Sequence, residues 1–406
     1  MRHYRLACHH IIFLLLLIIS PLAASSATDD GVVRILVITD LSGVFRDIAG
    51  PGSATGARLA AEDFSEVTSA GPVEIIVRDS RLDRDHAAAV AQEIHAETPL
   101  DLIVGHVSSG VALGLQPFAE EKGILIIHAG PASDSLTNGA CSALSAHWGF
   151  DTYALAHAIV QARSARYGDE SWFIITSDYA FGHDLEARAM DAIDRYGGDL
   201  LGVSRVPFPA QDFSTALREA LDTDADLIAL AMAGEDFQLA VRQAYEEGVR
   251  EAGRDLIGLD VFITDVHRLG LYATAGLGYA TSFYWDADEE SRAFAARFRE
   301  QEGVKPAVPQ AATYSAVRHY LKAVNNAGTD APQLVLDQMR NSPVDDFFGK
   351  GGHIRADGGM VHDMLQVRVR SPRAADASWA YLDVESVIDG SRAFRPLAES
   401  DCPLLR

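Results

Sequence analysis

From residue 32 onward the chain alternates short, almost wholly apolar runs with longer stretches in which apolar residues recur every three to four positions. The first kind reads as strand and the second as helix. Strands are predicted over 32–39, 73–78, 102–105 and 124–128, and helices over 52–67, 85–96 and 111–121. Strands that are apolar on both faces and are each followed by a helix point to a parallel sheet covered on both sides. A second series opens at Thr152 with a helix to 165, strand 171–176, helix 181–196, strand 200–207, helix 213–220, strand 227–232, helix 237–247 and strand 256–263. Past Tyr279 the pattern changes to a short strand 281–285, helices 291–301, 310–326 and 333–340, and β-rich runs 364–370 and 379–384. These pieces are too few for a third lobe, so they are expected to complete the first two. The chain then has to cross between lobes near 147–151, 281–286 and 345–355. The fold class read from this order is α/β, with two doubly wound parallel-sheet lobes. The first takes 28–147 plus 285–347 and the second 148–284 plus 348–406, a division that suits 406 residues at roughly 100–200 per domain.

The N-terminus has its own logic. Arg2 and Arg5 precede an apolar run from Ile11 to Ile19, and Ala23, Ala24, Ser25, Ser26 and Ala27 follow Pro21. Basic, apolar and small-residue segments in that order predict a secretory signal peptide over 1–27, cleaved near Ala27, and hence a periplasmic protein. A membrane anchor would need about 20 apolar residues, and Ser20 and Pro21 cut this run short. Cleavage removes two arginines and no acid, so the net charge of −23 becomes −25. Such a chain is repelled by phosphate backbones, and nucleic acid is not expected as a partner. Of the three cysteines Cys8 leaves with the signal. Cys141 and Cys402 remain, either bonded to each other, as an oxidising compartment favours, or as two free thiols.

Enzyme signatures do not emerge. The chain has no G-x-S-x-G, no H-E-x-x-H and no phosphate-binding G-x-x-x-x-G-K-[ST]. The run Gly50, Gly52, Gly56 follows the first strand too late, and with the wrong spacing, for a dinucleotide turn. His183, His267 and His362 each neighbour an aspartate, but the spacing assembles no four-ligand site and is read as surface solvation. Neither metal nor cofactor is expected. Ser108 and Ser109 are more suggestive, because they stand between an apolar strand and a helix. In open α/β sheets ligands bind beyond the carboxyl ends of strands, where the next helix offers unpaired N–H groups to an anion. Plain helix capping by serine explains the same pair.

Several segments resemble the periplasmic solute-binding proteins of branched-chain amino-acid-type ABC transporters, the type I periplasmic binding proteins. They are Asp40-Leu41-Ser42-Gly43, the run Val104 to Ser109, the run Gly123 to Ala129, and Asp212-Phe213-Ser214. A subgroup linked to aromatic acids is similar at Tyr179 to His183, Phe262 to His267 and Asp345 to Gly352. The resemblance spans nearly the whole mature chain. It implies two lobes joined by a three-strand hinge and closing over a ligand. It also implies a carboxylate held by Ser109, with Ser108 beside it, and a small-residue turn at Gly130, Ala132 and Ser133. An aromatic cover falls at Phe181, and the partner of a ligand ammonium falls at Asp260 or Asp265. Amino-acid binders have tyrosines where Phe181 and Ala233 stand, so Phe45, Tyr179 and Phe181 are expected to favour a flat, bulky carboxylate. The expected function is solute capture and delivery to an ABC permease in the inner membrane by a monomer, without covalent chemistry. The alternative is a ligand-sensing periplasmic module acting on a regulator.

Overall fold

The computed structural model describes residues 30–168, 170–375 and 377–406, and the expected signal peptide over 1–27 lies outside the described residues. The first sheet contains β1 (Val33–Thr39), β2 (Val67–Thr68), β3 (Gly71–Asp79), β4 (Leu102–Val104), β5 (Leu125–His128) and β6 (Ser145–His147) in the order β2-β3-β1-β4-β5-β6. All its pairings are parallel except β2 with β3. β1 and β4 are buried almost throughout, which accounts for their unbroken apolar sequences.

The second sheet is built from β7 (Ser171–Asp178), β8 (Asp199–Pro207), β9 (Leu227–Ala231), β10 (Asp255–Gly258) and β11 (Gly278–Thr281), which run parallel in the order β8-β7-β9-β10-β11. Next comes a small hairpin, β12 (His353–Ile354) with β13 (Met360–Val361). β14 (Met364–Val369) and β15 (Leu382–Ile388) then extend the second sheet antiparallel beyond β11. Two parallel-dominated sheets with helices on both faces make the α/β architecture expected from the alternation.

Late segments return to the first sheet. Helices Glu289–Glu302 and Val308–Ala327 pack on helix Gly50–Glu62, burying Phe294, Phe298, Val317, Tyr320 and Leu321 in one core with Val33, Leu59 and Ala60. The chain therefore passes between the sheets three times, at 148–151, 282–288 and 362–363. Trp148 in the first passage donates its indole N–H to Ser315 Oγ at 2.9 Å, and that hydroxyl donates to Asp346 at 2.8 Å beside the third.

Local differences from the expected elements have plain causes. The apolar run 256–263 does not stay a strand. β10 ends at Gly258 and a helix spans Ile263–Leu269, because the Asp265 carboxylate accepts the Phe262 N–H at 3.0 Å and starts a helical turn. Helix Gly50–Glu62 stops five residues short of the expected end, where Ser65 and Glu66 turn the chain with positive φ into β2. The stretch 348–406, expected wholly in the second lobe, is divided. The β12–β13 hairpin lies beside the first sheet through a His147–Gly359 bridge, and the tail after β15 reaches back to Cys141.

Cys141 and Cys402 form a disulfide with Cα atoms 5.6 Å apart, joining positions 261 apart in the sequence. Closing so long a loop removes roughly 5 kcal/mol of denatured-state entropy. Alkylation of the unreduced exported protein is expected to leave both cysteines unmodified by intact mass, with two adducts appearing after reduction. Two adducts without reductant would show free thiols.

Candidate functional site

The carboxyl ends of the two sets of parallel strands face each other, and loops from both enclose a cavity of about 430 Å³. The first lobe contributes residues 43–48, in the loop after β1, and the second contributes Tyr179 after β7, Phe208 and Pro209 after β8, Ala233 to Asp236 with Gln238 after β9, and Phe262, Thr264, Asp265 and Arg268 after β10.

Buried carboxylates shape this wall. Asp40 accepts the N–H groups of Gly43 at 2.7 Å and Phe45 at 2.8 Å, and so bends the loop that presents the Phe45 ring. On the other side Asp236 accepts the Ser177 hydroxyl at 2.6 Å and the Ala210 N–H at 3.1 Å, tying the end of β7, the loop after β8 and the first turn of helix Gly234–Glu246 together. Gly182, near the start of helix Ala180–Tyr196, allows a close approach, since a Cβ there would stand 2.1 Å from the Ser177 carbonyl oxygen. Tyr179 stacks on Phe208 with ring centroids 4.2 Å apart and planes 18° from parallel, leaving Phe208 half exposed. Arg268 reaches across the cleft to Asp47 at 2.8 Å.

Of the residues singled out from sequence, Phe45, Tyr179 and Asp265 line this cavity together with Ala233. Asp260 is buried and off the cavity wall, and its Oδ1 has no hydrogen-bond partner among the described residues; burial first, and the Asp260 charge second, raise the pKa of the Tyr179 hydroxyl. Burial, with the Asp265 charge added, pushes the Asp260 carboxyl up to about 7. Asp265 rises to about 6 through burial, opposed by hydrogen bonds from Gln238 and the Phe262 N–H.

Ser108, Ser109, Gly130, Ala132 and Ser133 are not on the cavity wall but share the carboxyl edge of the first sheet with the loop that is. Ser108 is spent as the cap of helix Ser109–Lys122, accepting the Val111 N–H at 3.4 Å. Ser109 Oγ accepts the Ser133 N–H at 3.2 Å, which joins the loops after β4 and β5 and leaves its own proton to donate. Gly105 turns the chain into this loop with φ +86°, and a Cβ there would meet Val37 at 2.7 Å. Phe181, expected as the aromatic cover, is instead half buried beside Tyr179, at 6.1 Å, and off the cavity.

Beneath the serine loops lie three histidines that the sequence reading passed over, one at or just past the end of each of β4, β5 and β6. His106 and His128 share a ring hydrogen bond of 2.7 Å, His128 meets Gln116 at 2.9 Å, and His147 Nε2 donates to the Pro131 carbonyl at 2.7 Å. Burial pushes the His106 ring down to about 3, so this layer is neutral support. His362, read from sequence as solvated, is also buried, between Phe348 and Phe394 at 5.1 Å from each. His183 and His267 are exposed. Phe208, Arg46, Gln238 and Arg268 were missed on the cavity wall. The signal that could have found Phe208 is its position directly after a strand of the parallel set.

The chain is similar to known proteins over most of its length. A family model described as periplasmic binding protein matches residues 32–376. A periplasmic binding protein from Burkholderia mallei is 38% identical, with 93% of this chain and 100% of that one covered and a TM-score of 0.84. A branched chain amino acid ABC transporter periplasmic ligand-binding protein from Burkholderia xenovorans LB400 is 34% identical, over 92% and 100% of the two chains, with a TM-score of 0.89. The Leu/Ile/Val-binding protein homolog 6 of Brucella suis biovar 1 is 23% identical over 314 residues, 76% of this chain and 79% of its own. With most of its described length matched by the family model, this chain belongs to the periplasmic binding protein family.

Proposed function

We propose that this protein captures a small carboxylate-bearing solute between its lobes in the periplasm and delivers it to an inner-membrane ABC permease, working as a monomer after cleavage near Ala27. One observation carries the reading: a cleft of about 430 Å³ whose walls come from both lobes, so that filling it favours their closure. The wall chemistry favours a flat acid. Phe45, Tyr179, Phe208 and Phe262 offer ring faces, and Arg46 and Arg268 offer positive charge. A second reading, a branched-chain amino acid, draws support from the unpartnered buried carboxylate of Asp260, which suits an ammonium group, and from the Burkholderia xenovorans relative.

A thermal-shift screen separates the two. Benzoate- and cinnamate-type acids at about a hundred times their dissociation constant should add about 2.7 kcal/mol of stability, and leucine, isoleucine or valine at the same concentration should raise the melting temperature less. Micromolar binding of the aliphatic amino acids with no shift from the aromatic acids would overturn the first reading. Mass spectrometry of any small molecule that co-purifies gives an independent identification.

A further inference from the structure

The tail after β15 belongs to neither lobe alone. It leaves the second sheet at Ile388, and its short helix Gly390–Ala393 packs on helix Thr152–Tyr167 of the second lobe. Arg395 lies over the Tyr153 ring at 4.5 Å. Glu399 then accepts a two-pronged hydrogen bond from Arg195, at 3.0 and 3.1 Å, on helix Ala180–Tyr196 of the second lobe.

Beyond Glu399 every contact changes side. Ser400 donates to the Thr137 carbonyl at 3.2 Å, the Asp401 N–H donates to Asn138, and Cys402 is bonded to Cys141, all in the segment between β5 and β6 of the first lobe. Arg395 also pairs with buried Asp134 of that segment, and Arg188 of the second lobe meets the same carboxylate at 3.2 Å. Only Ser400 and Asp401, three Cα steps in all, separate the ion pair on one lobe from the disulfide on the other. Fully extended, three residues span about 10 Å, so the lobes cannot part at this point by more than the slack in that short run.

We propose that the C-terminal tail is a fourth hinge strand, locked to the first lobe by the Cys141–Cys402 disulfide, which fixes the pivot of the two lobes and limits how far the empty cleft opens. The three passages of the main chain permit bending, and the strap selects which bend is available. Its two tightest anchors act in series, so releasing either one lengthens the slack: without the Glu399 pair the second-lobe hold falls back to Arg395 over Tyr153, and without the disulfide the first-lobe hold falls back to the Ser400 and Asp401 hydrogen bonds and the Arg395–Asp134 pair. Reduction by a dithiol breaks the S–S bond, delivers two electrons and two protons to give two thiols, and leaves the reductant as its own disulfide.

The test uses the mature, ligand-free protein, so the identity of the solute does not enter. Three variants are compared with the parent: Cys141→Ser with Cys402→Ser, Arg195→Gln, and all three changes together. Small-angle scattering should give a larger radius of gyration for each variant. Hydrogen exchange should quicken about tenfold at the hinge residues 148–151 while the strands of both sheets keep their protection. Because the anchors are in series, the triple variant should match the more open of the other two rather than add their effects. Arg195→Gln keeps the disulfide and its stabilisation, so it reports on the strap even if the cysteine variant folds poorly. Unchanged scattering and exchange in Arg195→Gln, or additive effects in the triple variant, would overturn the proposal.

Discussion

Ser109→Ala is expected to weaken solute binding by roughly 10–150-fold where the solute's carboxylate extends from the cavity to the neighbouring strand edge on which Ser109 stands off the wall, because a hydrogen bond to a charged group is worth about 1.5–3 kcal/mol. The hydroxyl stands at the first turn of helix Ser109–Lys122, whose unpaired N–H groups already favour an anion. Since Ser109 Oγ accepts the Ser133 N–H, its proton is the part available to a ligand. Melting of the empty protein should change little, as Ser108 rather than Ser109 caps the helix. Calorimetry with the acid that gives the largest thermal shift measures the effect. Unaltered affinity would move the carboxylate to the side of the cavity where Arg46 and Arg268 stand.

The second large effect is in pH, and its sign depends on the kind of solute. Asp260 in the empty protein has its carboxyl raised to about 7 by burial and by Asp265. A solute that presents a hydrogen-bond acceptor there needs the protonated acid. Its binding takes up a proton, so affinity is flat below pH 7 and falls by up to about tenfold per unit above it. An ammonium-bearing solute needs the carboxylate, so affinity rises up to about pH 7 and then levels. Asp260→Asn mimics the protonated form. It should hold binding of an aromatic acid within a few-fold and flatten the pH profile, and it should strongly weaken binding of an amino acid. A profile that keeps its slope in Asp260→Asn would exclude Asp260 as the titrating group.

Much of the fold could be read from hydrophobic pattern alone, since β1, β4 and β9 are buried on both faces and must be apolar along their length. β6 escaped because three residues are too few to show a period, and Ser145 and His147 are polar although buried. The helix Ile263–Leu269 escaped because the apolar run that leads into it reads equally as strand, and only the Asp265 cap resolves the ambiguity. For the cavity, resemblance and strand-end position led to Phe45, Tyr179 and Asp265, and also to Phe181, while Phe208 went unnoticed. Both phenylalanines lie near Tyr179. Which of them faces the space depends on how the loop after β8 folds back, a long-range contact that no local pattern encodes.

The return of helix Val308–Ala327 to the first sheet also bears on how the polypeptide matures. Val317, Tyr320, Leu321 and Val324 pack with Val33, Leu59 and Ala60, yet strands β7 to β11 of the other sheet are strung between them along the chain. An emerging N-terminal third therefore lacks a large share of the apolar surface it must bury, and loop-closure entropy opposes early consolidation. Stable structure in the first lobe has to wait until about four fifths of the residues have been made. A polypeptide wired in this order stays loose while it is threaded through a secretion channel, and it condenses on the far side, where its two cysteines meet oxidising conditions.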